Sequence, residues 1–385
     1  MSFNQHDFFR RMPETGRDLR SSYRPWQSIH VDFWLLVLLL LLTAYGLVVL
    51  YSASEQNLDF VKRQAIFLSL GYIAMFAAAQ MSIKVFFHWA VYAYIGALLL
   101  LLLVLFFGVD AKGAQRWLSV FNFRFQPSEL IKLAVPMIIA AYLSDKSLPP
   151  RMKHVLWVLA IVAIPTILIM NQPDLGTAMI VGISGLSILF LSGIRWRYIG
   201  LALGLLILSS WPMWHYIMHD YQRQRILTLF NPEADKLGAG WSIIQSKTAI
   251  GSGGLEGKGW LQGTQSHLDF LPESHTDFII AVLAEEFGFT GVLWLLGLYL
   301  AITARGLIIA YRAQDSFCRL LGGSITLTFF TYAFVNIAMV SGLLPIVGVP
   351  LPLVSLGGTS VVTLMAGFGI LMAISTEQHK IMSKM

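Results

Sequence analysis

Residues 31–52 read VDFWLLVLLLLLTAYGLVVLYS, with one charged side chain, Asp32, in 22 positions. At about 1.5 Å per residue, a helix of this length covers the ~30 Å hydrocarbon core of a bilayer. Any open backbone there would leave N–H and C=O groups without water, so the run reads as a membrane-spanning helix. Working outward, similar apolar runs recur at 64–80, 85–107, 128–144, 154–171, 174–193, 197–219, 288–311, 321–343 and 353–376. The expected fold is an all-α polytopic membrane protein of about ten transmembrane helices. A large extracytoplasmic loop joins spans seven and eight, because residues 220–276 are rich in Gly, Asp, Glu, Arg and Lys. Connections of that length are usually functional.

Composition agrees with that reading. The chain has 385 residues, 56% hydrophobic and 12% charged, with a mean hydropathy of +0.67. A soluble domain carries about twice that share of charge. A soluble enzyme, a secreted domain and a disordered protein are therefore excluded. The lone cysteine, Cys318, rules out a disulfide framework and reads as packing. The net charge of +6 and pI of 9.3 fit cytosolic loops that touch anionic membrane lipid better than they fit nucleic acid.

Charge also gives sidedness. With the N-terminus inside, 16 of the 27 Lys and Arg fall on the cytosolic side, as membrane insertion favours. Residues 1–30 hold five arginines and no short apolar stretch with a cleavage site, and read as a retained cytosolic tail. Residues 31–376 form the membrane domain, with 220–287 as the outer loop and a partly buried helix, and 377–385 form a second cytosolic tail. Asp277–Arg312 would be about 54 Å long as one helix. It is expected to break after Glu285-Glu286 into a helix at 277–287 and a span after Gly288.

Even-numbered spans then point their N-termini outward, carrying QPSELIK (126–132), QPDLGTA (172–178), HTDFI (275–279) and PLPLVSLGGTS (350–360). Helix N-termini present unpaired N–H groups and favour anions. Converging on one face, these motifs with Ser355 would suit a phosphate or diphosphate, whereas singly each is equally an ordinary cap, Ser128 and Asp174 being good cap residues. Glu129 and Lys132, spaced i, i+3 within a span, read as a structural ion pair or as one that also presents Lys132 to an anionic group. Asp277 ends the charged loop and opens an apolar helix. A partly desolvated carboxylate there suits proton acceptance, the alternative being a plain N-terminal helix charge. His275 beside it is a weaker candidate. Arg116, Arg223, Arg225 and Lys247 are candidate phosphate clamps, a solvated surface role being the alternative for each. His267, Asp269 and His275 match no strong metal spacing, and GSGGLEGKGW (251–260) is not a P-loop.

The stretches NPEADKLGAGWSIIQSKTAIGSGGLEGKGW, HLDFLPESHTDFIIAVLAEEFG and NIAMVSGLLPIVGVPLPLVSLGGTS resemble the SEDS family (shape, elongation, division and sporulation). They are closer to its rod-shape branch than to its division branch, and the likeness spans about residues 31–376. One departure is LGGT (356–359), where relatives often have Tyr-Gly-Gly-Ser. The resemblance implies a peptidoglycan glycosyltransferase that polymerises lipid II at the outer face of the bacterial inner membrane, with both termini cytosolic. It implies undecaprenyl diphosphate as leaving group, a class B penicillin-binding protein and other elongation-complex proteins as partners, and no nucleic acid. The family's essential aspartate maps onto Asp277 and its membrane Glu/Lys pair onto Glu129 and Lys132. No metal ligand set is expected, although a divalent cation such as Mg or Mn would suit the diphosphate. Two other functions are alternatives: a lipid II flippase, which charged residues inside spans and a polar cavity would also suit, and a non-catalytic scaffold of the cell-wall machinery.

Overall fold

The computed structural model describes residues 30–111, 114–120, 123–235, 238–264 and 273–382. His267 and Asp269 lie outside these, as do residues 1–29 of the N-terminal tail and 383–385. Helices α1 (Phe33–Ala53), α2 (Leu58–Gln80) and α3 (Ile83–Phe107) come first, followed by α4 (Ser128–Ser144), α5 (Met152–Met170), α6 (Leu175–Leu191) and α7 (Trp196–Pro212). The loop helices α8 (Asp220–Phe230) and α9 (Ala239–Gly253) follow, and α10 (Ile279–Arg312), α11 (Ser316–Val340) and α12 (Thr359–Met382) close the chain. Leaving out α8 and α9, ten helices stand at the ten expected spans. Seven of them are 18 or more residues long and apolar enough to cross a bilayer. The others, α4, α6 and α7, have 17 residues each, about 25 Å. This is a multi-pass helical membrane protein.

The centre of the bundle is formed by α11 and α12, whose apolar windows are 72% and 78% buried, against 22% for α2. α4 buries residues all round, including Glu129 and Lys132. At the periphery, α7 buries none of its residues. Its apolar side chains, such as Leu206 and Leu208, face outward where lipid tails would be.

The structure corrects several expectations. Between α3 and α4 lies a small antiparallel sheet of β1 (Val109–Ala111), β2 (Ala114–Val120) and β3 (Phe123–Phe125) in the order 1-2-3. The all-α reading did not include it, because strands of three to seven residues leave little period-two signal. The expected seventh span to 219 ends at Pro212, whose ring cannot continue regular pairing, and passes into a π-helical turn at Met213–Ile217. The tenth starts at Thr359 rather than 353, leaving PLPLVSLGG in non-helical backbone. It runs on past 376 to Met382, into the expected tail. Within the 220–276 connection, α8 and α9 supply the helical structure.

The expected break in the eighth span is present at Gly288, with φ 64° and ψ −162°, a conformation essentially restricted to glycine. A second backbone repairs it. Lys258 and Gly259 N–H donate to the carbonyls of Glu285 and Glu286, while Phe289 and Thr290 N–H donate to those of Gly254 and Leu255. Gly257, at φ 83°, lies so close that a Cβ there would be 2.1 Å from the Glu286 carbonyl oxygen. The Glu-Glu-Phe-Gly sequence and the glycine-rich GSGGLEGKGW run are two halves of one joint.

Candidate functional site

The non-helical segment between α11 and α12, residues 341–358, is a hub on which the HTDFI and QPDLGTA motifs meet. A buried amide on α2 grips it: Gln64 Nε2 donates to the Ser355 carbonyl and Gly357 N–H donates to Gln64 Oε1, both at 3.0 Å. The first turn of α6 packs on it so tightly that a Cβ on Gly176 would lie 2.6 Å from the Val347 carbonyl oxygen. α9 reaches its start, where Ser246 donates to the Val340 carbonyl at 2.9 Å and Lys247 lays its chain over Gly342.

The turn Glu273–Phe278 lies on the same hub and delivers Asp277 to the start of α10. Glu273 opens it at φ 59° and receives the Thr276 and Phe278 N–H groups. Three consecutive carbonyls are then held. Leu356 N–H donates to that of His275 at 3.0 Å, the Ser355 hydroxyl to that of Thr276, and Asn336 Nδ2 to that of Asp277 at 2.8 Å. Asn336 gives its other amide hydrogen to the Val349 carbonyl at 2.7 Å. Asp277 itself is half-buried, with Oδ2 3.6 Å from where a Gly348 Cβ would stand. The His275 ring packs against Phe60 on α2, centroids 5.0 Å apart.

Glu129 and Lys132 lie deeper. Lys132 Nζ donates to Glu129 Oε1 at 2.6 Å, the Thr363 hydroxyl donates to Glu129 Oε2 at 3.1 Å, and the Lys132 ammonium sits 5.0 Å from the Tyr332 ring centroid. The pair thus ties α4 to α11 and α12. The cavity it lines is about 20 Å³, whereas sites for drug-sized ligands run from about 300 Å³. In this conformation both side chains are walled off from anything as large as a diphosphate. Tyr332 and Asn336 are four residues apart on α11, on one face and about 6 Å apart, so the ion pair and the Asp277 carbonyl contact adjacent turns of that helix.

The remaining candidates divide. Asp174 caps α6 by accepting Thr177 N–H at 3.2 Å and receives Gln126 Nε2 at 3.1 Å, so the two Gln-Pro motifs touch. Arg116 on β2 lies 3.8 Å from Asp174 and donates to the carbonyls of Gln172 and Pro173. Arg116 and Asp174 thus brace the entry to α6, where the cap alternative describes Asp174. It does not describe Ser128, since the α4 cap position is Pro127 and the Ser128 hydroxyl has no partner among the described residues. Ser355 is 1% exposed, and its hydroxyl, receiving Leu351 N–H and donating to Thr276, is part of the scaffold. Arg223 bonds Asp220 at 3.5 Å and the His215 carbonyl at 3.0 Å, and Arg225 is half-buried on the same helix. No three His, Cys, Asp or Glu gather to hold a metal ion among the described residues. Sequence reasoning missed Asn336 and Gln64. An amide inside a membrane span is a signal that could have marked Asn336, whereas Gln64 follows Lys62-Arg63 at the start of its helix and does not stand out.

Comparison with known proteins adds a family. A profile described as cell cycle protein, for the FtsW, RodA and SpoVE group, matches residues 33–380. The chain is 51% identical to the peptidoglycan glycosyltransferase MrdB of Escherichia coli K12 over 359 residues, covering 93% of this chain and 97% of that one. It is 38% identical to a probable peptidoglycan glycosyltransferase FtsW of Geobacter metallireducens, over 90% and 95% of the two chains. A chain of a peptidoglycan synthase complex, solved to show how polymerization and crosslinking are coordinated, superposes with TM-score 0.79 at 30% identity over 91% and 99%. The Thermus thermophilus rod shape determining protein RodA gives 0.69 at 28% identity over 91% and 98%. The chain belongs to the FtsW, RodA and SpoVE family, the SEDS family that its motifs resemble.

Proposed function

From that membership and the build of the Asp277 turn, we propose that this protein is a peptidoglycan glycosyltransferase that polymerises lipid II at the outer face of the inner membrane. The GlcNAc 4-hydroxyl of one substrate attacks C1 of the MurNAc of another. Undecaprenyl diphosphate leaves and the anomeric centre inverts. Asp277 takes the hydroxyl proton as general base, a contribution of about 10²–10⁴-fold. The observation that carries this reading is a half-buried carboxylate whose backbone is held at three successive carbonyls. Such fixing suits proton transfer, where a misplacement of about 1 Å costs on the order of 10²-fold. Lys247, the cation whose side chain lies on the hub, is the one assigned to the departing diphosphate, where charge developing in the transition state is stabilised.

The excess of Lys and Arg in the connections on the tail side supports an orientation with both termini cytosolic and the long loop outside. A class B penicillin-binding protein is the partner, in line with the synthase complex that this chain resembles. A divalent cation such as Mg or Mn would suit the substrate's diphosphate, and no step is assigned to it.

The test is polymerisation of purified lipid II by the full chain with its transpeptidase partner, wild type against Asp277→Asn. Glycan polymer from the wild type and none from a folded Asp277→Asn protein is expected. Full polymer from the variant removes the base. Transbilayer movement of labelled lipid II with no polymer from the wild type replaces polymerase by flippase.

A further inference from the structure

We infer that Asn336 is a positioning residue for the Asp277 carboxylate, setting where that group stands for proton transfer without touching substrate itself. The inference rests on the glycosyltransferase reading and names a further residue on which the same reaction depends.

Asn336 is wholly buried near the end of α11, where a leucine of the same shape would satisfy packing. Its amide instead gives both hydrogens to backbone carbonyls from two separate segments, Asp277 on the turn and Val349 on the hub. Its own oxygen has no partner among the described residues. A buried acceptor left unmet is unfavourable, so the residue is explained by its donors. The Asp277 carbonyl shares a Cα with the carboxylate, so fixing that peptide fixes the direction in which the side chain leaves the backbone. The other donor bond holds Val349, the neighbour of Gly348, against which Asp277 Oδ2 lies. One side chain therefore sets both the carboxylate and the wall beside it. Leu356 and Ser355 hold the two preceding carbonyls from the hub itself. Asn336 holds the third from a central helix, so the turn cannot pivot with the hub.

The experiment uses the full chain with its transpeptidase partner and purified lipid II. Asn336→Leu keeps the side-chain shape and removes both donors. Its kcat is expected to fall by roughly 10–100-fold, the range for a displacement of up to about 1 Å. KM for lipid II is expected to hold within about twofold and the acid limb of the kcat–pH profile to move, since the carboxylate's surroundings change. A merely structural role moves neither the pH limb nor kcat alone. Wild-type kcat and pH profile from folded Asn336→Leu overturn the inference while leaving the Asp277 reading intact. If the wild type makes no polymer, or folded Asp277→Asn makes it fully, the reading itself falls and the inference with it. Should Asn336→Leu not fold, Asn336→Ser is measured in the same way against the same outcomes. Failure of both to fold makes Asn336 a folding determinant and also overturns the assignment.

Discussion

The long broken helix α10 has a charged group at each end, and the surroundings fix different parts of them. At one end Asp277 is half-buried and is held by its backbone, through Asn336 and through the neighbouring carbonyls of His275 and Thr276. At the other, Arg305 makes two hydrogen bonds to Asp32, at 3.0 and 2.5 Å, and Asp32 also caps α1 through Leu35 N–H and receives the Ser375 hydroxyl. Asp32 is only 7% exposed. A carboxylate whose oxygens are bonded to a guanidinium, a hydroxyl and an N–H is a poor base, because taking a proton forfeits those bonds. Fixing the main chain while leaving the carboxylate half-exposed allows approach to a substrate. The two ends thus differ in access, Asp32 being buried and Asp277 half-exposed.

The sharpest way to break the comparison is to neutralise each aspartate in turn. Asp277→Asn is expected to lower lipid II polymerisation by about 10²–10⁴-fold with no change in the thermal midpoint. Asp32→Asn should keep turnover per folded molecule within a few-fold. Loss of polymer from a folded Asp32→Asn protein would show that the two ends are not different in kind. Glu129 and Lys132 extend the test, since they are an architectural pair by the same reasoning, both side chains being less than 10% exposed. Lys132→Met is expected to destabilise the protein by about 3–5 kcal/mol, because it strands a buried carboxylate. The double variant Glu129→Gln, Lys132→Met should recover part of that loss in thermal unfolding. Equal destabilisation by the single and double variants contradicts the pairing.

Much of this was legible in the sequence, and the misses have physical causes. Hydrophobic length located ten helices because a bilayer demands about 20 apolar residues wherever the chain crosses. The Glu-Glu-Phe-Gly break was legible because Gly288 sits inside a run too long for one crossing. Asp277 stood out as a carboxylate at a polar-to-apolar boundary. The partners of that carboxylate's backbone were not legible, because Asn336 and Gln64 act across 59 and 291 residues of chain and hydropathy carries no pairing information. Ser355 looked like a ligand contact because a hydroxyl near glycines suits anions. Only the fold shows that this hydroxyl is held between Thr276 and Leu351.

Between the two ends of α10, the joint at Gly288 offers an intermediate case. Glu285 is wholly buried, with Oε1 receiving Lys258 Nζ at 2.6 Å and Thr264 N–H at 2.8 Å. Glu286 receives the Ser52 hydroxyl from α1. These bonds fasten the loop after α9 to the break. Glu285→Gln keeps the shape and removes the charge, and charge-assisted bonds of this kind contribute about 1.5–3 kcal/mol. Hydrogen exchange is expected to quicken locally in 254–264 while α11 and α12 keep their protection. Uniform loss of protection would mean that the joint holds up the whole bundle.

The smallest expected effect belongs to the stability of the Asp32 end itself. Asn at position 32 still accepts Leu35 N–H, because Asn and Asp cap helices about equally well. What Asp32→Asn removes is the charge facing Arg305, whose side chain is 27% exposed and can find water. The loss should therefore be about 1 kcal/mol, near the upper value for solvent-accessible ion pairs. Asp32→Ala removes the cap as well and should lose about 1 kcal/mol more. In the cycle with Arg305→Gln, a coupling of about 1 kcal/mol is expected between Asp32→Asn and Arg305→Gln in thermal or denaturant unfolding. A coupling near zero would leave Asp32 as a cap alone, and the guanidinium could not then be the reason this carboxylate is unavailable as a base.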